Sequence, residues 1–343
     1  MKRLLTIICC AILLALACIQ IHSRFFTPSM NFFFRATYTS DAWAEQLRQR
    51  GEPVYVFAGS SETRSGIDPQ LMMGEYGLPA VNAAENAGFG LEANVAIAFR
   101  YLQPGDTMVL NILSCDDENV PPVSGGIKMA VYLLGTNVCS TGIIEPSWEN
   151  LGKFLDSNIL NAFIVATRHF GRGGRLFKYD EKTTIHPSGW MEISYEDMKS
   201  YSIPDVPPNY KPVIITEESV LNTLLKRVMT ACREREISLV VALPISCSNP
   251  ITRAQGAVLA LHCTRMGIPV LRDERLGCHP VPEDYSDLAV HLNAAGAAKH
   301  TGIVAQLLKN KAYWTEQELI SILQQMGYND TGEPSTNTSP IKN

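Results

Sequence analysis

Two serines stand side by side in VFAGSSETRSGIDP, residues 56–69. A serine held on a turn can act as a nucleophile if its proton passes to a base, usually a histidine whose other nitrogen is held by a carboxylate. Beyond residue 22 the histidines are His169, His186, His262, His279, His291 and His300. His262 lies in a helical pattern, and His169 and His186 fall in a weakly periodic region. His291 is placed differently. In DYSDLAVHLNAAGAAKHT it follows the acidic Asp287 and precedes a helix of small residues, so one loop carries a base together with an acid to orient it. On its own, D-x-x-x-H reads as a surface loop.

These residues need a frame. PVYVFAG (53–59) is a short β-branched and aromatic run that ends in glycine, a strand followed by a turn. LPAVNAA (78–84) and TMVLNIL (107–113) are further strands, and the segment between them spaces Leu91, Val95, Ala98, Phe99 and Leu102 as a helix does. From about 114 to 212 the periodicity weakens, and this stretch reads as a long insertion with a few helices. Regularity returns with an amphipathic helix carrying Val220, Leu221, Leu224, Leu225, Val228 and Cys232 on one face. ISLVVALP (237–244) is a continuous apolar strand of the kind found in sheets covered on both faces. A helix, the strand IPVLRD and two more helices follow, the last opened by a Thr315–Glu318 capping box. The alternation predicts a single α/β domain over 36–328 with a mainly parallel sheet. In such sheets function gathers after the carboxyl ends of strands, and Gly59-Ser60-Ser61 sits at one. Residues 329–343 have the polar composition of a disordered tail.

GSSETRSGIDP near the start and DLAVHLNAAGAAKHT near the end together resemble the SGNH (GDSL-type) hydrolases. The likeness is closest to an exported, membrane-associated branch related to alginate and cell-wall O-acyl transfer proteins. It covers about 53–113 and 213–310. The resemblance implies a three-layer α/β/α fold, SGNH/flavodoxin-like, and a serine esterase or O-acyltransferase acting on an ester or acyl group of an envelope carbohydrate. It makes Ser61 the nucleophile, His291 the base and Asp287 the acid, although the family usually places that acid three residues before the histidine rather than four. Ser60 stands where the family has Asp. The implied oxyanion hole consists of the Ser61 N–H, Gly88 and Asn111; no clean G-x-N follows the third strand. No cofactor or metal is implied. Substrates would be acylated small molecules or carbohydrates, and the resemblance allows a membrane-bound acyl-donating partner. The alternative is a non-catalytic envelope protein that keeps the fold to bind polysaccharide or a membrane partner.

Other patterns carry less. GFGLEA (88–93) matches G-x-G-x-x-A, but AAEN separates it from any strand, whereas a dinucleotide loop follows its strand directly. The G-x-S-x-G elbow of α/β-hydrolases is absent. Asp116-Asp117-Glu118 reads as a solvated acidic loop, Arg64 as a surface ion pair, Trp190 as a core or interface aromatic, and Asp68 and Asn293 as helix caps. A net charge of −5 gives no footprint for nucleic acid. The uncharged run from Leu4 to Ile21, after Lys2 and Arg3, reads as a signal peptide or membrane anchor over 1–22, with a loose lipoprotein-like site at Cys18. Either version predicts an exported chain. Cys115, Cys139, Cys232, Cys247, Cys263 and Cys278 show no C-x-x-C spacing, which argues against zinc. Export permits a Cys247–Cys278 disulfide, and buried thiols fit equally well.

Overall fold

Successive side chains of a strand point to opposite faces, so a strand apolar at every position needs cover on both. The sequence YVFA meets that condition. A computed structural model of the chain describes residues 32–85, 87, 90–112, 143, 183–193, 212–246, 250–286 and 290–334. In chain order the elements are α1 (Phe32–Arg48), β1 (Tyr55–Ala58), α2 (Ser61–Gly66), α3 (Pro69–Tyr76), β2 (Ala80–Asn82), α4 (Gly90–Phe99) and β3 (Thr107–Asn111). A hairpin of β4 (Thr183–Ile185) and β5 (Met191–Ile193) follows, then α5 (Val220–Glu234), β6 (Ser238–Ala242), α6 (Pro250–Arg265), α7 (Ala294–Lys309) and α8 (Glu316–Gln325).

β2, β1, β3 and β6 form a parallel sheet in that order. Tyr55 is in register with Ala80 on one side and Thr107 on the other, and Asn111 pairs with Ala242. The strand expected at IPVLRD contributes only single bridges, Val241 to Val270 and Leu271 to Tyr313. Val56, Ala58, Met108, Leu110 and Val241 face a core shared with α1, α4, α5, α6 and α8. Phe57, Val109, Val240 and Ala242 face a second core with Ile67, α3 and α7. The fold is therefore α/β, with a mainly parallel sheet covered on both faces.

Local chemistry sets several boundaries. Asp68 caps α3 by accepting from the N–H groups of Gln70 and Leu71, Pro69 opens that helix, and Gly77 closes it in the left-handed region at φ 69°. Asn293 caps α7 and the Thr315–Glu318 capping box opens α8, as their sequences predict. Val220, expected on the buried face of α5, is instead exposed at its first turn. Asn329 to Pro334, read above as the start of the polar tail, form a turn held by Asn329 Oδ1, and Arg265 Nη2 meets Asp330 at 3.0 Å.

Within the region read as an insertion, the β4–β5 hairpin packs on the main domain. Ser188 accepts from Asn82 N at 3.1 Å, and a Cβ on Gly189 (φ 90°) would sit 2.1 Å from the Asn82 carbonyl oxygen. Trp190 is a core aromatic, as its sequence reading allows. It clusters with Ile245, Tyr285, Leu292 and Ala297, and its Nε1 donates to the Ser65 carbonyl at 3.1 Å. Among the described residues no helix is long and apolar enough to cross a membrane; the apolar run at 4–21 lies outside them, as does Cys247.

Candidate functional site

β1 ends at Ala58 and runs into Gly59, where a side chain does not fit. A Cβ there would stand 2.3 Å from Thr63 Oγ1 and 3.0 Å from Asn111 Cβ. Ser60 follows in extended conformation at the N-cap of α2, and Ser61 is the first helical residue. A serine at this position ordinarily accepts a hydrogen bond from the second or third N–H of its helix. Ser60 does not. Its hydroxyl donates instead to the Glu62 carboxylate, whose other oxygen accepts the Ser60 N–H at 3.3 Å. Ser61 is half-buried, and among the described residues its hydroxyl makes no hydrogen bond.

The two strands beside β1 brace this turn from below. Asn111, the last residue of β3, donates from Nδ2 to Thr63 Oγ1 at 3.0 Å. The carbonyl of Gly59 accepts from Glu85 N at 3.2 Å, just beyond β2. Asn82 Nδ2 donates to the carbonyls of Thr63, Arg64 and Ile67 at 3.0, 3.3 and 2.9 Å, gathering the carbonyls at the end of a six-residue helix. Arg64, expected on the surface, is instead buried, and its Nη1 meets Glu85 Oε2 at 2.6 Å. The reason is position: α2 lies between the hairpin and α7, so its polar side chains point into protein.

The position is also topologically distinctive. In doubly wound sheets the connections leave neighbouring strands toward opposite faces at one point, and ligands bind in the crevice beyond the carboxyl ends there. Here β1 lies between β2 and β3, and both Gly59-Ser60-Ser61 and Asn111 stand at that end.

His291 reaches the same place from the far end of the chain. Its carbonyl accepts from Ser286 N at 2.8 Å and Ser286 Oγ at 3.2 Å, while Tyr285 and Leu292 form an antiparallel bridge. Asn293 N donates to the Asp284 carbonyl at 2.9 Å, closing the loop where α7 begins. The Asp284 carboxylate accepts from Lys299 Nζ at 2.6 Å and pairs with His279 Nε2 at 2.7 Å. Burial alone would raise this carboxyl, but the hydrogen bonds from Lys299 and His279 outweigh it and hold it below the usual range. Leu292, next to His291, packs on α2, with its Cδ1 3.6 Å from where a Cβ on Gly66 would lie. His291 itself is 7% exposed.

Electrostatics link the two segments. Burial holds the Glu62 carboxyl above the ordinary carboxylate range; the Ser60 hydrogen bonds pull it part of the way back, and a positive charge on His291 would act in the same direction. Beneath them, burial and the Arg275 charge drive the His300 imidazole down to about 3. His300 is therefore neutral, and its Nδ1 takes a hydrogen bond from Arg275 Nη2 at 2.9 Å.

The structure thus brings Ser60, Ser61, Asn111 and the His291 loop to one end of the sheet. Asp287 and Gly88, expected as the acid and an oxyanion donor, lie outside the described residues. Asn111 stands beneath the turn, 2% exposed, with an amide hydrogen already given to Thr63. Two partners escaped sequence reasoning. Thr63 is an ordinary helix residue by type, and Glu62 in the first turn of a helix is the usual solvated partner of the helix dipole. Among the described residues no His, Cys, Asp and Glu cluster is arranged to hold a metal. No family model, curated protein or solved structure matches the chain.

Proposed function

We propose that the chain is a serine esterase or O-acyltransferase with a three-layer SGNH/flavodoxin-like fold, acting on an ester or acyl group of an envelope carbohydrate. The observation that carries this reading is the docking of the His291 loop on the helix that opens with Ser61, at the β1–β3 end of the sheet. The hydroxyl of Ser61, which makes no hydrogen bond among the described residues, fits a nucleophile better than the engaged hydroxyl of Ser60.

In this reading Ser61 Oγ attacks the acyl carbon as His291 takes its proton. The negative oxygen is stabilised by the Ser61 N–H, with Gly88 and Asn111 as further donors. Collapse of the tetrahedral adduct breaks the bond to the leaving alkoxide, which receives the proton from His291. Water or a carbohydrate hydroxyl then attacks the acyl-enzyme with His291 as base. Export and a membrane-bound acyl-donating partner belong to the same proposal.

A serine-directed fluorophosphonate tests it. Wild-type protein is expected to take the label, Ser61→Ala to lose it and Ser60→Ala to keep it. The engaged amide of Asn111 favours the second reading, a non-catalytic polysaccharide-binding protein. That reading is upheld if the wild type takes no label and His291→Ala binds glycan as the wild type does.

A further inference from the structure

We propose that Glu62 is the carboxylate of this site: it holds the Ser60 hydroxyl on the short helix that the His291 loop packs against and answers the charge that forms on His291, the part that the resemblance assigns to Asp287. The inference rests on the serine–histidine reading above. Six carboxylates are buried among the described residues: Glu62, Glu85, Glu92, Asp106, Asp273 and Asp284. Five of them meet a cation, namely Arg64 at 2.6 Å, Arg227 at 2.9 Å, Arg48 at 2.5 Å, Arg275 at 2.6 Å and Lys299 at 2.6 Å, respectively. Among the described residues Glu62 is bonded to no lysine or arginine. Its hydrogen bonds come from the Ser60 hydroxyl and from main-chain N–H groups at the start of α2.

A buried carboxylate without a cation is costly, and a purely structural one would be paired like the other five. Ser60 also gives up the cap that its position offers in order to serve Glu62. Both features fit a group whose counter-charge appears only during reaction. When the Ser61 proton moves to His291, the imidazolium supplies the cation that Glu62 lacks at rest. The stabilisation is then greater in the transition state than in the ground state, as catalysis requires. No proton passes to Glu62; it goes from Ser61 to His291 and on to the leaving alkoxide. Glu62 is thus a positioning residue, acting through Ser60 and His291.

Fluorophosphonate labelling rates across pH, measured on the full chain, test the assignment. Glu62→Gln is expected to slow labelling by up to about 10⁴-fold, the loss seen when a triad carboxylate is neutralised, and to remove the acidic limb of the profile. Ser60→Ala should lose about tenfold, and Asp287→Asn less than about threefold. Wild-type labelling by Glu62→Gln, or the large loss appearing in Asp287→Asn, overturns the proposal. A second measurement is independent of activity. In ¹³C-glutamate protein, the carboxyl signal that Glu62→Gln removes should titrate at higher pH in His291→Gln and be unmoved in Asp287→Asn. A midpoint indifferent to His291 sinks the pairing. Should the wild type refuse the label while that coupling persists, the hydrolase reading falls and the Glu62–His291 pair stands.

Discussion

Asp106 and Glu62 are buried carboxylates at opposite ends of one sheet, 1% and 3% exposed, and their surroundings are unlike. Asp106 stands just before β3, at the amino edge. It accepts from Arg48 Nη1 at 2.9 Å and Nη2 at 2.5 Å, from Val54 N at 2.8 Å and from Gln103 N at 2.7 Å. A forked guanidinium and two main-chain donors fill its lone pairs, and together they tie α1 to the strand entries. Glu62 stands past β1, at the carboxyl edge, where a serine and main-chain N–H groups are its donors. One end of the sheet is built for closure. The other keeps an ionisable group in an environment that disfavours its charge, as sites of chemistry often do.

The comparison can be broken most readily at Asp106. Asp106→Ala leaves the Arg48 charge and two N–H donors without their acceptor, so about 3–5 kcal/mol of stability should be lost in urea unfolding. A loss under about 1 kcal/mol would mean that the amino edge is not the closed end. Next comes acid. His300 binds a proton in the unfolded chain below its usual value of 6.5 but in the folded state only near 3. Stability from this group is therefore complete above 6.5 and is lost as pH falls toward 3, by up to about 1.4 kcal/mol for each unit. In His300→Gln that slope should flatten, and an unchanged slope would refute the neutral histidine.

Glu62 carries the opposite sign. Its folded carboxyl lies above the unfolded value, so its contribution to stability is full below about 4.5 and is lost as pH rises through the folded value. Glu62→Gln should accordingly raise the Tm at neutral pH and leave it unchanged below 4.5, while labelling slows. A lower Tm at pH 7 would show that Glu62 is a structural residue like Asp106. The smallest effect is expected at Lys226, whose 2.5 Å contact with Glu217 is as short as that of Arg48 with Asp106 but lies on the surface. Lys226→Ala should leave the unfolding midpoint where it was, because burial rather than distance gives an ion pair its weight.

Much of the frame is legible in the sequence. β1, β3 and β6 appear as apolar runs because both of their faces are covered. The caps Asp68, Asn293 and Thr315 could be read because capping involves only neighbours in sequence. Arg64 reads as a surface residue in the sequence for the converse reason: its partner Glu85 and the cover from the hairpin arrive through other segments. IPVLRD has strand composition, yet only single bridges join it to its neighbours, because pairing depends on where an edge lies in space.

The sequence by itself determined an α/β chain, a glycine turn with two serines after the first strand, and a histidine loop ahead of a capped helix. Those features rest on local periodicity and on turn chemistry. Only the tertiary structure decided that Ser60 leaves its helix cap for Glu62, that Glu62 is, among the described residues, the buried carboxylate without a lysine or arginine, and that the His291 loop rests on the same short helix. The physical reason is that burial and charge balance belong to the space around a side chain. Residues some 230 positions apart fill that space here, and no local pattern encodes which of them meet.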